Sequence, residues 1–465
     1  MINIKFGTDG WRAIIAKEYT LDNVCRVADA SARWLKNNGG SKVVIGHDCR
    51  FGGAMFAIYT ARVFAKHGIR VNLAKGVVST PMVSLGVVQT KSDLGIVITA
   101  SHNPPEYNGY KLKSHRGGPS FPSDIAEVEA LIEDTVPTDL PEPGDMHDNG
   151  LLAYIDLESM YCNHVEKNFD MNAIRNMGQS IGYDAMYGAG QHVFQKLIPT
   201  ATVLHCEENP SFYNQAPEPI HRNLMEFSKV MGESENLKVG IANDGDADRI
   251  GMYDENGKFV DSHHILLLLL KYLYKHKNLT GTVVTTFSVT GKMKKLSEAY
   301  GLPHEVTKIG FKYIAEIMAN KDVLVGGEES GGLAVKGHIP ERDGIWIGLV
   351  ILEYMAKTNQ TLCELIDDLY KDVGSFAFDR DDLHVSDEQK ANVISNCNND
   401  SYQNFGDYSI DRIERIDGTK FILGDDKWVM IRPSGTEPVL RVYCEAPTPK
   451  EVRTILDATK ETILS

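Results

Sequence analysis

Along most of the chain the apolar positions switch between two rhythms. Over 21–36 they recur every three or four residues (Leu21, Val24, Val27, Ala28, Ala32, Leu35), the repeat of one helix face. The short segments 42–45 and 71–74 read as strands and the apolar run 94–98 as a buried strand, with helical spacing at 54–67 and after Pro81 between them. A short strand at 110–112 and a helix at 126–132 follow. The alternation then repeats: helix 154–168, strand 181–184, helix 193–197, strands 202–205 and 239–242. It continues with helix 265–274, strand 282–286, helix 293–300, strand 304–307, helix 313–318, strand 323–325 and helix 346–355. Strands alternating with helices predict a mainly parallel sheet covered on both faces. From about Val373 the pattern changes to helix 388–396, strand-like runs 421–423, 428–431 and 440–444, and a closing helix 451–463, a smaller α+β unit. The stretch 136–150 holds three prolines, several acids and no periodicity, and reads as a linker, with a long surface loop within one domain as the close alternative.

With 465 residues the chain is too long for one core and predicts three or four domains. Its net charge of −15 argues against non-specific binding to nucleic acid or to an anionic membrane. An acidic protein that takes an anionic substrate must concentrate cations at its site, so each Arg or Lys inside a motif gains weight. The seven cysteines are scattered, and no CxxC suggests a zinc site or a disulfide framework, which fits a reducing cytosol. No signal-like pattern marks the start, and the apolar runs 265–270 and 345–352 are far short of a membrane span, so a cytoplasmic location is expected.

Candidate chemistry lies in the loops. Thr99-Ala100-Ser101-His102-Asn103-Pro104 follows the strand 94–98, at the kind of sheet edge where α/β proteins bind ligands. Proline and asparagine stiffen it, which suits a hydroxyl that gives and takes a group, although an ST-turn serine would look the same. Asp244-Gly245-Asp246-Ala247-Asp248-Arg249 places three carboxylates at alternate positions, an all-oxygen donor set for Mg²⁺, Ca²⁺ or Mn²⁺. With Glu255 they match EF-hand spacing, but Arg249 stands where that loop needs glycine, and a strand precedes where a helix is required. A solvated acidic turn is the other alternative. Glu328-Glu329-Ser330 between glycines suits sugar hydroxyls, or is a charged surface turn. His338 and Arg342 add a titratable group and a cation nearby. Arg432-Pro433-Ser434-Gly435-Thr436 can form an anion nest, or a plain hairpin turn. A serine, a metal site, a sugar clamp and a distal phosphate clamp together make the parts of a phosphoryl-transfer enzyme.

In FGTDGWR, TASHNPPEYNGYK, GYDAMYGAG, NDGDADR, GEESGG and RPSGTEP the whole chain resembles the α-D-phosphohexomutase family, which includes phosphoglucomutase and phosphomannomutase. The resemblance implies three related α/β domains and a C-terminal α+β domain around a central cleft, expected at 1–148, 149–252, 253–368 and 369–465. It implies transfer of phosphate between C1 and C6 of a hexose through a phosphoserine and a hexose 1,6-bisphosphate, which also serves as activator. Carried onto this sequence, Ser101 is the phosphoserine, and Asp244, Asp246, Asp248 and a phosphoserine oxygen hold Mg²⁺. Lys111 is the acid/base, supported by Arg12 and His102. Arg249 and Lys308 contact the ligand near its reacting end, Glu328, Ser330 and Arg342 meet the sugar, and Arg432, Ser434, Gly435 and Thr436 hold the distal phosphate. The Glu-Glu-Ser form of the sugar loop resembles phosphoglucomutases, so glucose phosphate is expected, with mannose phosphate close behind and glucosamine phosphate as a further alternative. Gly332 departs from dual-specificity members, which carry histidine there, and a histidine acid/base role then falls to His338 or to none. The expected partner is a small phosphosugar, with no nucleic acid or membrane, on a monomer or homodimer. A metal-dependent phosphatase using Ser101 and a non-enzymatic Ca²⁺ module are rivals of different classes.

Overall fold

The computed structural model describes residues 2–7, 10–433 and 439–464. They form two compact units, Met1–Gly281 with Gly310–Leu365, and Thr282–Ile309 with Ile366–Ser465.

The first unit opens with a six-stranded sheet in the spatial order Trp11–Ile14, Tyr107–Ser114, Leu94–Ile98, Lys42–His47, Arg70–Ala74, Leu152–Ile155. The last four strands run parallel; Tyr107–Ser114 is antiparallel to Leu94–Ile98 and turns back from it. Helices Leu21–Asn37 and Gly53–Lys66 cover one face, burying Val24, Val27, Ala28 and Phe64 against Val43, Ile45 and Ile96. Helix starts are set by local caps: Thr20 accepts from Asn23 N–H, and Ser79 from Met82 N–H ahead of Thr80–Thr90.

A second sheet orders Phe259–Val260, Ile250–Asp254, Val239–Asn243, Ile181–Asp184 and Thr202–Leu204. The parallel strands Ile181–Asp184 and Val239–Asn243 end side by side, so the loops after them, 185–190 and 244–249, are neighbours. Further on, Val323–Gly327 and Leu333–Val335 form an antiparallel pair around 328–332. Helices Ser262–Lys275 and Gly344–Thr358 carry the two longest apolar runs and are buried along nearly their whole length, as those runs predict. No described helix is long and apolar enough to cross a membrane.

In the second unit Thr282–Thr286 pairs in parallel with His304–Thr307. A five-stranded antiparallel sheet follows, ordered Ala377–His384, Val439–Ala446, Trp428–Pro433, Thr419–Ile422, Arg412–Glu414. Phe421, Val429, Leu440 and Val442 pack there against Ile455 of the closing helix Pro449–Leu464.

Two expectations change. The helix expected from 154 starts at Leu157, where Asp156 accepts from Ser159 N–H; the residues before it form strand Leu152–Ile155 on Arg70–Ala74. The stretch 136–150 is no free linker. Arg62 donates to the carbonyls of Leu140 and Pro141, helix Pro143–Asp148 buries Met146, and the chain then returns to the first sheet. That sheet therefore takes its edge strand from beyond residue 148, the expected end of the first domain. Proline and acid content removed the periodic signal without removing the packing.

Candidate active site

Ser101 sits where Leu94–Ile98 ends, buried, with a left-handed backbone (φ 52°). For a residue with a Cβ this conformation is uncommon and marks a place the surroundings over-determine. Its Oγ donates to Asp244 Oδ2 at 2.7 Å and lies 3.3 Å from His102 Nδ1. The strand-end serine and the acidic loop, 143 residues apart in sequence, therefore meet at one hydrogen bond.

The acidic loop is held from several sides. Asp244 Oδ1 accepts from the backbone N–H groups of Asp248 (2.9 Å) and Arg249 (3.0 Å), closing the loop on itself. Ala247 takes a left-handed turn (φ 55°), and its carbonyl accepts from Gly344 N–H. Ala189 N–H donates to Gly245 O, and a Cβ at Gly188 would stand 2.7 Å from Asp244 O, so close approach requires glycine in the GYDAMYGAG loop. Thr80 donates its backbone N–H to Asp246 O and its hydroxyl to Asp246 Oδ2. Sequence reading missed Thr80, whose only signal was a Ser-Thr-Pro helix start.

Asp244, Asp246 and Asp248 are all buried, and one oxygen of each lies within 4.8 Å of the others. Burial and the charges of Asp246 and Asp248 push the Asp244 carboxyl well above its ordinary range. For Asp246 burial acts the same way, but the Lys111 ammonium overrides it and holds the carboxyl low. Lys111 Nζ is 2.8 Å from Asp246 and 3.1 Å from Asp248, and Arg342 is 2.8 Å from Asp248. Asp246 Oδ1 and Asp248 Oδ1 remain buried without a hydrogen-bond partner. Unpartnered buried carboxylate oxygens are costly, and an all-oxygen set of this kind fits a hard divalent cation.

The supporting cations gather here too. Arg12 donates to Asn103 Oδ1 at 2.7 Å, on the Ser101 loop. Burial, with Arg249 and Arg12 adding to it, pushes the His102 imidazole well below its ordinary value, so the ring is neutral. Arg249 is bridged to Gly332, and Ile250 N–H donates to Gly331 O, which ties the 328–332 loop to the end of the acidic loop. Glu328 is buried there and raised to about 7, chiefly by burial, with Arg342 pulling the other way. Glu329 and Ser330 are half-buried. The glycine at 332 has a local cause: a Cβ there would stand 2.5 Å from Cδ of Arg342.

His338 is built into different surroundings. Its Nε2 is 2.8 Å from Asp343 Oδ2, its Nδ1 3.3 Å from His164, and its ring stacks on Trp346 at 3.8 Å. Asp343 also caps Gly344–Thr358 and accepts from Tyr161, so His338 serves that helix start.

Lys308 and Arg432 belong to the second unit. Asp417 joins their segments: its Oδ2 accepts from Ile309 N–H at 3.0 Å and its Oδ1 from Arg432 Nε at 3.2 Å. Nothing in the local sequence signals that link. Ser434, Gly435 and Thr436 lie outside the described residues.

Four domain profiles of the phosphoglucomutase/phosphomannomutase family match in order: alpha/beta/alpha domain I at 3–138, domain II at 159–257, domain III at 261–373 and the C-terminal domain at 385–462. A phosphoglucomutase/phosphomannomutase of Thermococcus kodakarensis is 30% identical over 97% of this chain and 96% of its own. A phosphoglucosamine mutase of Methanocaldococcus jannaschii is 29% identical over 97% and 96%. A crystal structure from Thermus thermophilus, carrying a provisional phosphomannomutase name, superposes with TM-score 0.88 at 32% identity over all of both chains.

Proposed function

Because this chain belongs to the phosphoglucomutase/phosphomannomutase family and is a phosphohexomutase, we propose that it interconverts glucose 1-phosphate and glucose 6-phosphate through a phosphoserine at Ser101. The observation that carries this reading is the 2.7 Å contact between Ser101 Oγ and Asp244 inside the buried carboxylate triad. Ser101 gives its phosphoryl group to the sugar hydroxyl and takes back the other phosphate of the hexose 1,6-bisphosphate, which also primes the resting enzyme. Asp244, Asp246, Asp248 and a phosphoserine oxygen would hold Mg²⁺, which supplies charge stabilisation for the transferring oxygens. Lys111, hydrogen-bonded to two of the carboxylates, exchanges the proton of the attacking or leaving hydroxyl. Arg12 fixes Asn103, and neutral His102 shields the nucleophile without adding charge. Arg249 and Lys308 contact the ligand near its reacting end, Glu328, Ser330 and Arg342 meet the sugar, and Arg432 with the segment 434–436 holds the distal phosphate.

Glucose is favoured by Glu328-Glu329-Ser330. The glucosamine reading has its own support in the Methanocaldococcus jannaschii relative. The test is kcat/KM for the 1-phosphates of glucose, mannose and glucosamine, with Mg²⁺ and a trace of hexose 1,6-bisphosphate, and free phosphate assayed in parallel. The expected result is 6-phosphate product with glucose ranked first and little free phosphate. Stoichiometric free phosphate would overturn the mutase reading in favour of a phosphatase.

A further inference from the structure

Four backbone carbonyls of the Ser101 loop converge on one guanidinium. Arg50 Nη2 donates to Ser101 O (2.7 Å) and Asn103 O (2.6 Å), and its Nη1 to Pro104 O (2.8 Å) and Tyr107 O (2.9 Å). The arginine side chain is fully buried, and its Nε lies 3.4 Å from Asp48 Oδ2. Asp48 Oδ2 also accepts from the Thr99 hydroxyl, whose oxygen accepts the N–H of Ser101. Both backbone groups of the left-handed serine thus trace to 48–50, just past the end of strand Lys42–His47. The outer face of Arg50 is covered by the Phe212 ring, 5.1 Å from Cζ. Phe212, Tyr213 and Asn214 are three successive left-handed residues (φ 45°, 48° and 59°), so a strained turn serves to bury that ring. None of these interactions involves the Ser101 hydroxyl.

We propose that Arg50, backed by Phe212, is a positioning residue that aims the Ser101 hydroxyl by fixing its loop through carbonyl contacts alone. A planar fork with five N–H donors can serve four carbonyls; an ammonium keeps the charge but cannot span them. A misplaced nucleophile loses rate steeply while leaving substrate binding alone. The inference rests on Ser101 as the nucleophile.

The experiment is steady-state kcat and KM for glucose 1-phosphate, with Mg²⁺ and a trace of hexose 1,6-bisphosphate, on the parent, Arg50→Lys and Phe212→Leu, with Tm recorded for each. Arg50→Lys is expected to lose at least about 30-fold in kcat with KM within about threefold of the parent, and Phe212→Leu about three- to tenfold with KM likewise unchanged. A folded Arg50→Lys with kcat within about threefold of the parent overturns the proposal, since charge alone then suffices. A KM rise that accounts for the lost kcat/KM overturns it too, because Arg50 would then act on substrate binding. If Arg50→Lys does not fold, Phe212→Leu decides by the same split: kcat lost at constant KM supports positioning, and an unchanged kcat refutes it. A parent enzyme without mutase turnover, or a fully active Ser101→Ala, would instead defeat the reading of the function.

Discussion

The loop that carries Ser101 and the loop that carries Glu328 both leave strand ends of the first unit, yet they are held in opposite ways. Around Ser101 a residue with a side chain adopts φ 52°, and its backbone N–H and C=O are both bonded to buried side chains. Around Glu328 the turn is made by Gly331 at φ 87°, whose Cβ would stand 2.7 Å from Ile250 O, and Glu329 and Ser330 stay half-buried. The first loop devotes its contacts to fixing one atom. The second uses glycine to bring its backbone close to the acidic loop and leaves side chains for a ligand. On the proposed function, rigidity is concentrated where a bond would be made, and adaptability where a sugar would be recognised.

The largest effects belong to the rigid side of that contrast. Ser101→Ala should remove mutase activity by at least about 10⁴-fold with Tm little changed, and full activity in that variant would sink the mechanism. Asp246→Asn, measured as Mg²⁺-dependent kcat, should cost about 10²–10³-fold, and chelation of the parent should abolish turnover reversibly. Lys111→Met removes the ammonium shared by two buried carboxylates, a change of about 3–5 kcal/mol in stability. Added Mg²⁺ should then raise Tm more in Lys111→Met than in the parent; equal shifts would mean that lysine and cation do not serve the same carboxylates.

Much of the rigid site is legible in the sequence, because its parts are local. An apolar run ending in Thr-Ala-Ser and three acids at alternate positions each announce a strand end and a charge cluster within a few residues. What holds them is not local. Arg50 reaches carbonyls more than fifty residues away, and Thr80 meets Asp246 across 166 residues. Periodicity carries no trace of such contacts. Asp417, joining the Lys308 and Arg432 segments, is hidden for the same reason. The strand Leu152–Ile155 is hidden because an edge strand with Tyr154 half-exposed lacks the apolar run that marks the inner strands. The surroundings of His338 are equally hidden: beside functional motifs it reads as a candidate for acid/base work, and the fold sets it between Asp343 and Trp346.

On the adaptable side the effects should be smaller and should appear in KM. Glu328 is raised to about 7 chiefly by burial, opposed by Arg342. Between the ordinary glutamate value and about 7 the folded protein keeps a proton that the unfolded chain has released, so stability falls as pH rises through that window. Above about 7 the carboxylate is charged, the form that would accept from sugar hydroxyls on the proposed function. KM for glucose 1-phosphate should therefore fall as pH rises through about 7, and Glu328→Gln should flatten both that profile and the pH dependence of Tm. A Glu328→Gln profile superposable on the parent's would place the titrating group elsewhere.

The smallest change asks whether the two loops are independent. Arg342 touches both: it pairs with Asp248 of the acidic loop at 2.8 Å, and its stem fills the space beside Gly332 of the sugar loop. A methyl group at position 332 would fall 2.5 Å from Arg342 Cδ and 3.3 Å from Glu328 Oε2, so the arginine stem must move while the glutamate need shift only slightly. Gly332→Ala is therefore expected to raise KM about threefold and to lower kcat by less than that, because a long side chain can absorb the displacement at its charged end. If kcat fell tenfold or more, the Arg342–Asp248 pair would be transmitting strain from the recognition loop into the reacting centre, and the division between a fixed loop and an adaptable one would not hold in this enzyme.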